Sequence, residues 1–449
     1  VELRPYQQAA RQAIHAEWDQ GRRKTLLVLP TGCHAWGSQL LMADGTLKHV
    51  QDIEVGEYLM GPDGTPRTVL HLTRGHGMRY LVNPIKGAPF IVTGDHKLTL
   101  VRTSERRNPQ RPSEHLAGEM VDVAVEEWRG WPKSKKHLYK LIRCPGILSF
   151  SVPDCALPVD PYFLGILLGD SGMTTTINVT TPDLEVAKEL CDQAFHYGMQ
   201  LKTIPAGKAT TYIFTGQGVG CKGSELHQDL KALGLRRLGS ATKHVPQIYK
   251  TAPMSARLQM IAGLLDSDGS LACNGYDFIS KSKQLAKDLA FICRSVGLAA
   301  YVTPCFKSCG DFTGEYHRVS ISGHCDIIPV RVPHKQAGPR KQKKDVLRTG
   351  FFVEKWGNGD YYGFTVDGDN RYLLDDFTIT HNCGKTIVFA KVSEDQVRAG
   401  ERVLILAHRG ELLEQAADKI QKACKLGCSV EKAEQSSLGE WYRITVGSV

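Results

Sequence analysis

No stretch of the chain stays apolar for the roughly 18 residues that a membrane-crossing helix needs, which excludes a helical membrane span. The opening segment, VELRPYQQAARQAIHAEW, is polar with a helical period and lacks the apolar core of a secretory signal, so none is expected. Cysteine offers no pairing scheme: 13 cysteines in 449 residues are an odd number at irregular spacings. Free thiols in a reducing cytoplasm are therefore expected rather than a disulfide framework. No metal spacing stands out either. Cys305 and Cys309, with His324 and Cys325, match no zinc pattern, and Cys424 and Cys428 read as core and cap neighbours. Acidic residues are the scarcer charges, 47 against 56 basic ones, and the resulting +9 permits contact with nucleic acid without requiring it. With 42% hydrophobic residues, the chain has apolar material for about two or three domains.

The most informative presence is a nucleotide-binding loop in two pieces. Thr25 to Gly32 read TLLVLPTG, a strand-like run ending in a turn, and Cys383 to Ala390 read CGKTIVFA. Joined, they give a strand, a glycine-bearing loop and a helix opened by Gly384, Lys385 and Thr386, the arrangement that cradles phosphates. Residues 33–382 therefore read as an insertion into that loop. The insertion begins at Cys33 and ends in His381 and Asn382, and Cys383 follows. A lone cysteine or histidine is usually structural; the conjunction at two junctions that rebuild a phosphate loop points elsewhere. Together with Gly37 and Ser38, the ADG turn at Ala43 to Gly45, TGDH at Thr93 to His96 and the segment YYGFTVDGDNRYLLDDFTITHN, this resembles an intein, a protein-splicing element.

The resemblance implies a β-rich Hint-type splicing domain and a defined reaction order. The Cys33 sulfur attacks the Gly32 carbonyl, and the amide becomes a thioester. His96 is expected at the scissile nitrogen and Thr93 at the carbonyl, because the tetrahedral intermediate needs a proton donor and oxyanion contacts. Cys383 then takes over the acyl group as its thiolate, with Asp367 matched to the position that tunes the thiol steps. Asn382 cyclises with help from His381, and a sulfur-to-nitrogen shift leaves a Gly32–Cys383 peptide. The splicing steps need no cofactor and act on the chain itself.

A splicing fold accounts for 33–115 and 345–382, which leaves 116–344 to explain. Two related segments occur there, DPYFLGILLGDSGM at Asp160 to Met173 and ARLQMIAGLLDSDGS at Ala256 to Ser270. Each is an apolar helix with small residues, ending in an acidic residue, and each is followed by β-prone residues and an amphipathic helix. They resemble the paired motifs of LAGLIDADG homing endonucleases. The resemblance implies a pseudo-symmetric αββαββα domain that cuts double-stranded DNA, here the intein-free helicase gene, as a monomer. Asp170 and Asp268 are the expected ligands of Mg2+, Lys243 the expected organiser of water, and Asp266 a cap aligned with Gly169. Ser171 departs from the motif's glycine. Basic runs at Lys133, Lys135 and Lys136, beside Trp131 and Tyr139, and at Arg340, Lys341, Lys343 and Lys344 are candidates for phosphate contacts.

The flanks, 1–32 and 383–449, resemble the first α/β, RecA-like domain of superfamily 2 helicases. Tyr6 and Gln7 match its adenine-reading region; Lys385 would hold the terminal phosphates of ATP and Thr386 its Mg2+. The acidic motif that follows in such helicases lies beyond ITVGSV, so ATP hydrolysis is not expected of this chain. The whole reads as an α+β multi-domain protein. A different reading of the same residues is a fragment of an ATP-dependent helicase that carries an inert insert.

Overall fold

In the computed structural model the described residues are 5–22, 25, 33–104, 116–152, 156–174, 176–216, 224–309, 312–341, 343–381, 386–407, 417, 420, 421, 424–431 and 442–448. Gly32, Asn382, Cys383, Gly384 and Lys385, and the side chain of Thr386, lie outside them. The chain divides into two compact units, one formed by 33–381 and the other by both flanks.

The first unit contains two antiparallel β-sheets built from the ends of the insertion. One joins β1 (His34–Ala35), β2 (Pro66–Pro84), β3 (Phe90–Thr93) and β7 (Phe351–Val366). β2 and β7 pair over nearly their whole length, from Pro84 opposite Phe351 to Val69 opposite Val366, so the two ends of the insertion are stitched together. The second sheet is built around β4 (Lys97–Arg102), all six of whose residues are buried. It carries β5 (Met120–Ala124), β6 (Tyr139–Ile142), β8 (Arg371–Leu373) and β9 (Ile379–His381). Short turns set these registers. In the ADG turn, Asp44 accepts from the Thr46 amide at 2.9 Å and its hydroxyl at 2.7 Å, while Gly45 takes a φ of +80° that a side chain would resist.

The splicing part is longer than the expected 33–115. β5 lies alongside β4 with Thr99 opposite Asp122, and β6 pairs with β4 with Leu100 opposite Leu141. Residues up to about the end of β6 thus complete the splicing sheet. The Lys135 ammonium sits 3.9 Å from the centre of the Trp131 ring, and Trp128 stacks on Phe351 at 4.4 Å. The first basic run is therefore packed on the splicing part, not on the segment between 144 and 345.

That intervening segment holds two halves of the same order. α1 (Pro161–Asp170) leads into strands and α2 (Leu184–His196); α3 (Met254–Asp268) leads into strands and α4 (Lys283–Ser295). In each half the sheet runs in the order first, second, fourth, third strand. Capping fixes two of the starts: Asp160 accepts from the Phe163 amide at 2.9 Å ahead of Pro161, and Ser282 accepts from the Leu285 amide at 3.1 Å. One apolar core runs through both halves and takes in Leu41, Met60, Leu373 and Ile379 of the splicing part.

In the flank unit, helices Pro5–Asp19 and Thr386–Arg398 accompany three parallel strands, Val403–Ala407, Ile444–Ser448 and Ser429–Glu431. Asp395 accepts from Arg11 Nε at 2.5 Å and lies 2.8 Å from His15 Nε2, so residues from opposite sides of the insertion are bonded to one another.

Candidate active sites

Cys33 is 1% exposed immediately before β1. Its amide N–H donates to Thr93 Oγ1 at 3.1 Å, and the Thr93 N–H donates back to the Cys33 carbonyl at 3.0 Å. The threonine hydroxyl therefore sits on the nitrogen of the Gly32–Cys33 bond, where His96 was expected. His96 closes the TGDH turn, its amide donating to the Thr93 carbonyl at 3.1 Å, and its Nε2 lies 2.6 Å from Thr380 Oγ1 on β9. A hydrogen bond thus links His96 to the strand that ends at the second junction.

His34 was not singled out by its sequence context. It packs edge-on against His96 with ring centres 4.6 Å apart, and its Nε2 lies 2.6 Å from the Tyr372 hydroxyl. Complete burial pushes its pKa down to about 3, so it is neutral at physiological pH and adds no positive charge beside His96. Because this value is below the ordinary 6.5, the native state binds fewer protons than the unfolded chain between the two. The stability from this group is complete above pH 6.5 and is lost as pH falls toward 3. Melting temperatures should accordingly fall between about pH 7 and about pH 5, and His34→Gln should flatten that fall. An equally steep fall in the variant would contradict the assignment.

At the other junction, β9 lies between β4 and β8, with His381 opposite Lys97 on one side and Arg371 on the other. Strand alternation sends Thr380 to the His96 side and His381 to the opposite face. His381 is fully buried, with Nε2 3.8 Å from Asp122 Oδ2. Asp122 also accepts from Thr99 Oγ1 at 2.7 Å and from Arg371 at 3.0 Å. Burial alone would raise the Asp122 carboxyl, but His381 and Arg371 outweigh it and hold it below the ordinary carboxylate range. Asp122 escaped the sequence reading because only the pairing of β5 with β4 brings it here.

Asp367 is not brought to Cys33. It follows the end of β7, whereas β1 pairs further back, at Tyr361 and Tyr362, and its carboxylate accepts from the Thr68 amide at 2.9 Å. The carboxylate fastens a turn, and the acidic group near His381 is Asp122.

The second candidate site lies where α1 and α3 end. The helices pack so closely that a methyl on Gly165 would come within 2.6 Å of the Met260 carbonyl. Asp170 and Asp268 are the last residues of their helices and equivalent to one another, so Gly169 faces Ser267 and Asp266 corresponds to Leu168. The Gly169 alignment of Asp266 is thereby corrected. Asp266 is buried and accepts from the Tyr162 hydroxyl at 2.7 Å and the Arg331 amide at 2.8 Å, a bracing role.

Desolvation, then Asp268, pushes Asp170 up to about 6, and desolvation raises Asp268 as well. Lys243 Nζ donates to the carbonyls of Leu167 at 3.2 Å and Gly169 at 3.0 Å, and burial lowers its pKa to about 8. Lys335 matches it in the other half, donating to the carbonyls of Leu265, Asp266 and Ser267 at 3.2, 2.7 and 3.1 Å. The sequence reading found only Lys243; the internal duplication was the signal for a second lysine. The Ser171 hydroxyl donates to the Leu167 carbonyl, which it shares with Lys243.

Two carboxylates that desolvation drives toward the neutral form suit a hard cation with oxygen ligands, which would offset that cost. Among the described residues no group of three or more His, Cys, Asp or Glu side chains is arranged to hold one. The remaining ligands would have to be water and phosphate.

The profile of the family described as "Hom_end-associated Hint" matches residues 33–144. The chain is 38% identical over 487 residues to the catalytic polypeptide of the V-type proton ATPase of Candida tropicalis, covering 80% of this chain and 44% of that protein. It is 26% identical over 263 residues to the replicative DNA helicase DnaB of Mycobacterium intracellulare, covering 55% of this chain and 39% of that one. It thus spans less than half the length of either curated relative. Among solved structures, one of I-DmoI in complex with DNA and Ca matches 37% of this chain and 83% of its own, with a TM-score of 0.27 and 12% identity. The Msm DnaB1 intein splicing domain bound with zinc matches 20% of this chain and 81% of its own, with a TM-score of 0.14 and 23% identity. No described helix is long and apolar enough to cross a membrane. Residues 33–144 are thus a Hint domain of the homing-endonuclease-associated kind.

Proposed function

We propose that the chain excises residues 33–382 and joins Gly32 to Cys383. The observation that carries this reading is the hydrogen bond of 2.6 Å between His96 and Thr380, which holds the two ends of the insertion at one place. In the first step Thr93, already on the scissile nitrogen, orients the Gly32–Cys33 amide, and His96 protonates that nitrogen as the Cys33 sulfur takes the acyl group. Cys383 then displaces Cys33 from the thioester. Asn382 next attacks its own carbonyl while His381 protonates the departing Cys383 nitrogen, and the freed Cys383 amine finally takes the acyl group from its own sulfur, leaving an amide and a thiol. Under reducing conditions, intact-mass measurement should find a free segment of 33–382 and a product of the two joined flanks. Variants Cys33→Ala and Asn382→Ala should each remove the joined product; its persistence in either would reject the reading.

The same proposal assigns the two halves around α1 and α3 to a pseudo-symmetric LAGLIDADG endonuclease acting on double-stranded DNA as a monomer. Asp170 and Asp268 would hold Mg2+, which when bound polarises the scissile phosphate and activates water. Lys243 and Lys335 fix the helix ends and present positive charge beside the phosphates. The bonding of Arg11 and His15 to Asp395 supports flanks that belong together as part of a helicase-type host. Once joined, Gly32, Gly384, Lys385 and Thr386 would form a loop for the phosphates of ATP.

A further inference from the structure

We propose that Asp122 is a positioning residue for the closing step at Asn382, acting through His381, and that Arg371 sets how strongly it acts. The inference rests on the splicing reading and adds a group to its cyclisation step. When Asn382 cyclises, its side-chain nitrogen forms a bond to its own carbonyl carbon and loses a proton, while the bond to the Cys383 nitrogen breaks and that nitrogen gains one. An imidazole that gives the second proton and recovers the first ends unchanged, but it must carry positive charge on the way. The surroundings of His381 oppose this. Its direct cross-strand neighbours are both cations, Lys97 on β4 and Arg371 on β8, and the ring has no exposure to water.

Asp122 offsets that opposition. Its carboxylate lies 3.8 Å from His381 Nε2, on the same face of the sheet as Lys97 and Thr99, and is held there by Thr99 and Arg371. Arg371 reaches across β9 to make this contact and also lies 4.0 Å from Asp369 on the turn before β8. Part of the Asp122 charge is thus spent on Arg371, and removing either residue changes His381 in opposite directions. Without Asp122 the imidazolium keeps its two cationic neighbours, loses the facing carboxylate and forms less readily. Without Arg371 it faces a less compensated carboxylate and forms more readily. A pair that merely tied β8 to β5 would show no such opposition, because losing either member would loosen the same sheet.

The test uses the full chain with Cys33→Ala, in which only Asn382 cyclisation releases the C-terminal flank, and follows that release by mass across a range of pH. Asp122→Asn should slow release by about tenfold at neutral pH and move the alkaline fall in rate about one pH unit downward. Arg371→Met should move it upward, and Asp122→Glu should restore most of the rate. Thiol-induced release of the N-terminal flank, measured with Asn382→Ala, should lose far less than the C-terminal release in Asp122→Asn. Shifts in the same direction for Asp122→Asn and Arg371→Met, or equal losses at both junctions, would overturn the proposal while leaving splicing intact. Failure of the parent chain to release either flank would instead overturn the splicing reading, and this inference with it.

Discussion

His96→Ala should slow thiol-induced release of the N-terminal flank by about a hundredfold to ten-thousandfold, the usual worth of a positioned acid or base. The expulsion of an amide nitrogen needs a proton at the moment the bond breaks, and among the described groups at Cys33 the alternatives are poor. Thr93 already accepts the scissile N–H, and His34 is held neutral by burial, its pKa about 3. Because His96 is buried and bonded to Thr380, its loss also weakens the sheet, so His96→Gln, which can keep that bond, is the companion variant. Both should lose thioester formation, whereas Cys33→Ala stops the step outright. If His96→Gln melted like the parent and released the flank at close to the parent rate, His96 would not be the proton donor, and Thr93 would have to act alone.

The second large effect concerns DNA. Asp268→Asn should lower cleavage of the intein-free target by at least about a thousandfold in Mg2+, because the carboxylate is one of the pair assigned to the cation. Binding in a gel shift should persist, since affinity comes mainly from phosphate contacts by basic groups. Asp170→Asn should behave alike and carry a second signature. With its folded pKa of about 6 above the ordinary 3.8, the Asp170 carboxyl makes the native state less stable as pH rises from 3.8 to about 6. Its amide replacement should therefore raise the melting temperature above pH 6 in metal-free buffer, where the parent carries the unfavourable charge. Cleavage retained in either variant, or a lower melting temperature in Asp170→Asn, would reject this pair as the cation site.

How much of this was legible in the sequence differs from residue to residue for physical reasons. Cys33, Thr93, His96 and His381 could be named because the chemistry demands those atoms and their order along the chain is fixed by the reaction. Asp170 and Asp268 could be named because small residues on a helix followed by a terminal carboxylate form a local pattern that repeats. Asp122 had no local signature: in VDVAVEE it is one acidic residue of three, and only the register of Thr99 with Asp122 aims it toward His381. Asp367 was misjudged for the converse reason. The polar turn DGDN places two acidic residues close in sequence, but the backbone turns there and the Asp367 carboxylate is taken by Thr68. The boundary at 115 failed because a polar stretch reads as a linker, while β5 and β6 beyond it return to pair with β4. His96 was expected at the Cys33 nitrogen, but it is the Thr93 hydroxyl that accepts from that amide, a distinction of a few ångströms that no spacing rule encodes.

Traceless splicing requires the chain to cut itself at both junctions and rejoin its flanks without a scar. The most direct measurement is fragmentation mass spectrometry of a protease digest after incubation with a thiol reductant, searching for a peptide that reads through LVLPTG into CGKTIVFA. That peptide is expected, linked by an ordinary amide between Gly32 and Cys383, together with a free segment ending in a cyclised Asn382. Its absence, with Gly32–Cys33 and Asn382–Cys383 peptides both intact, would rule out splicing.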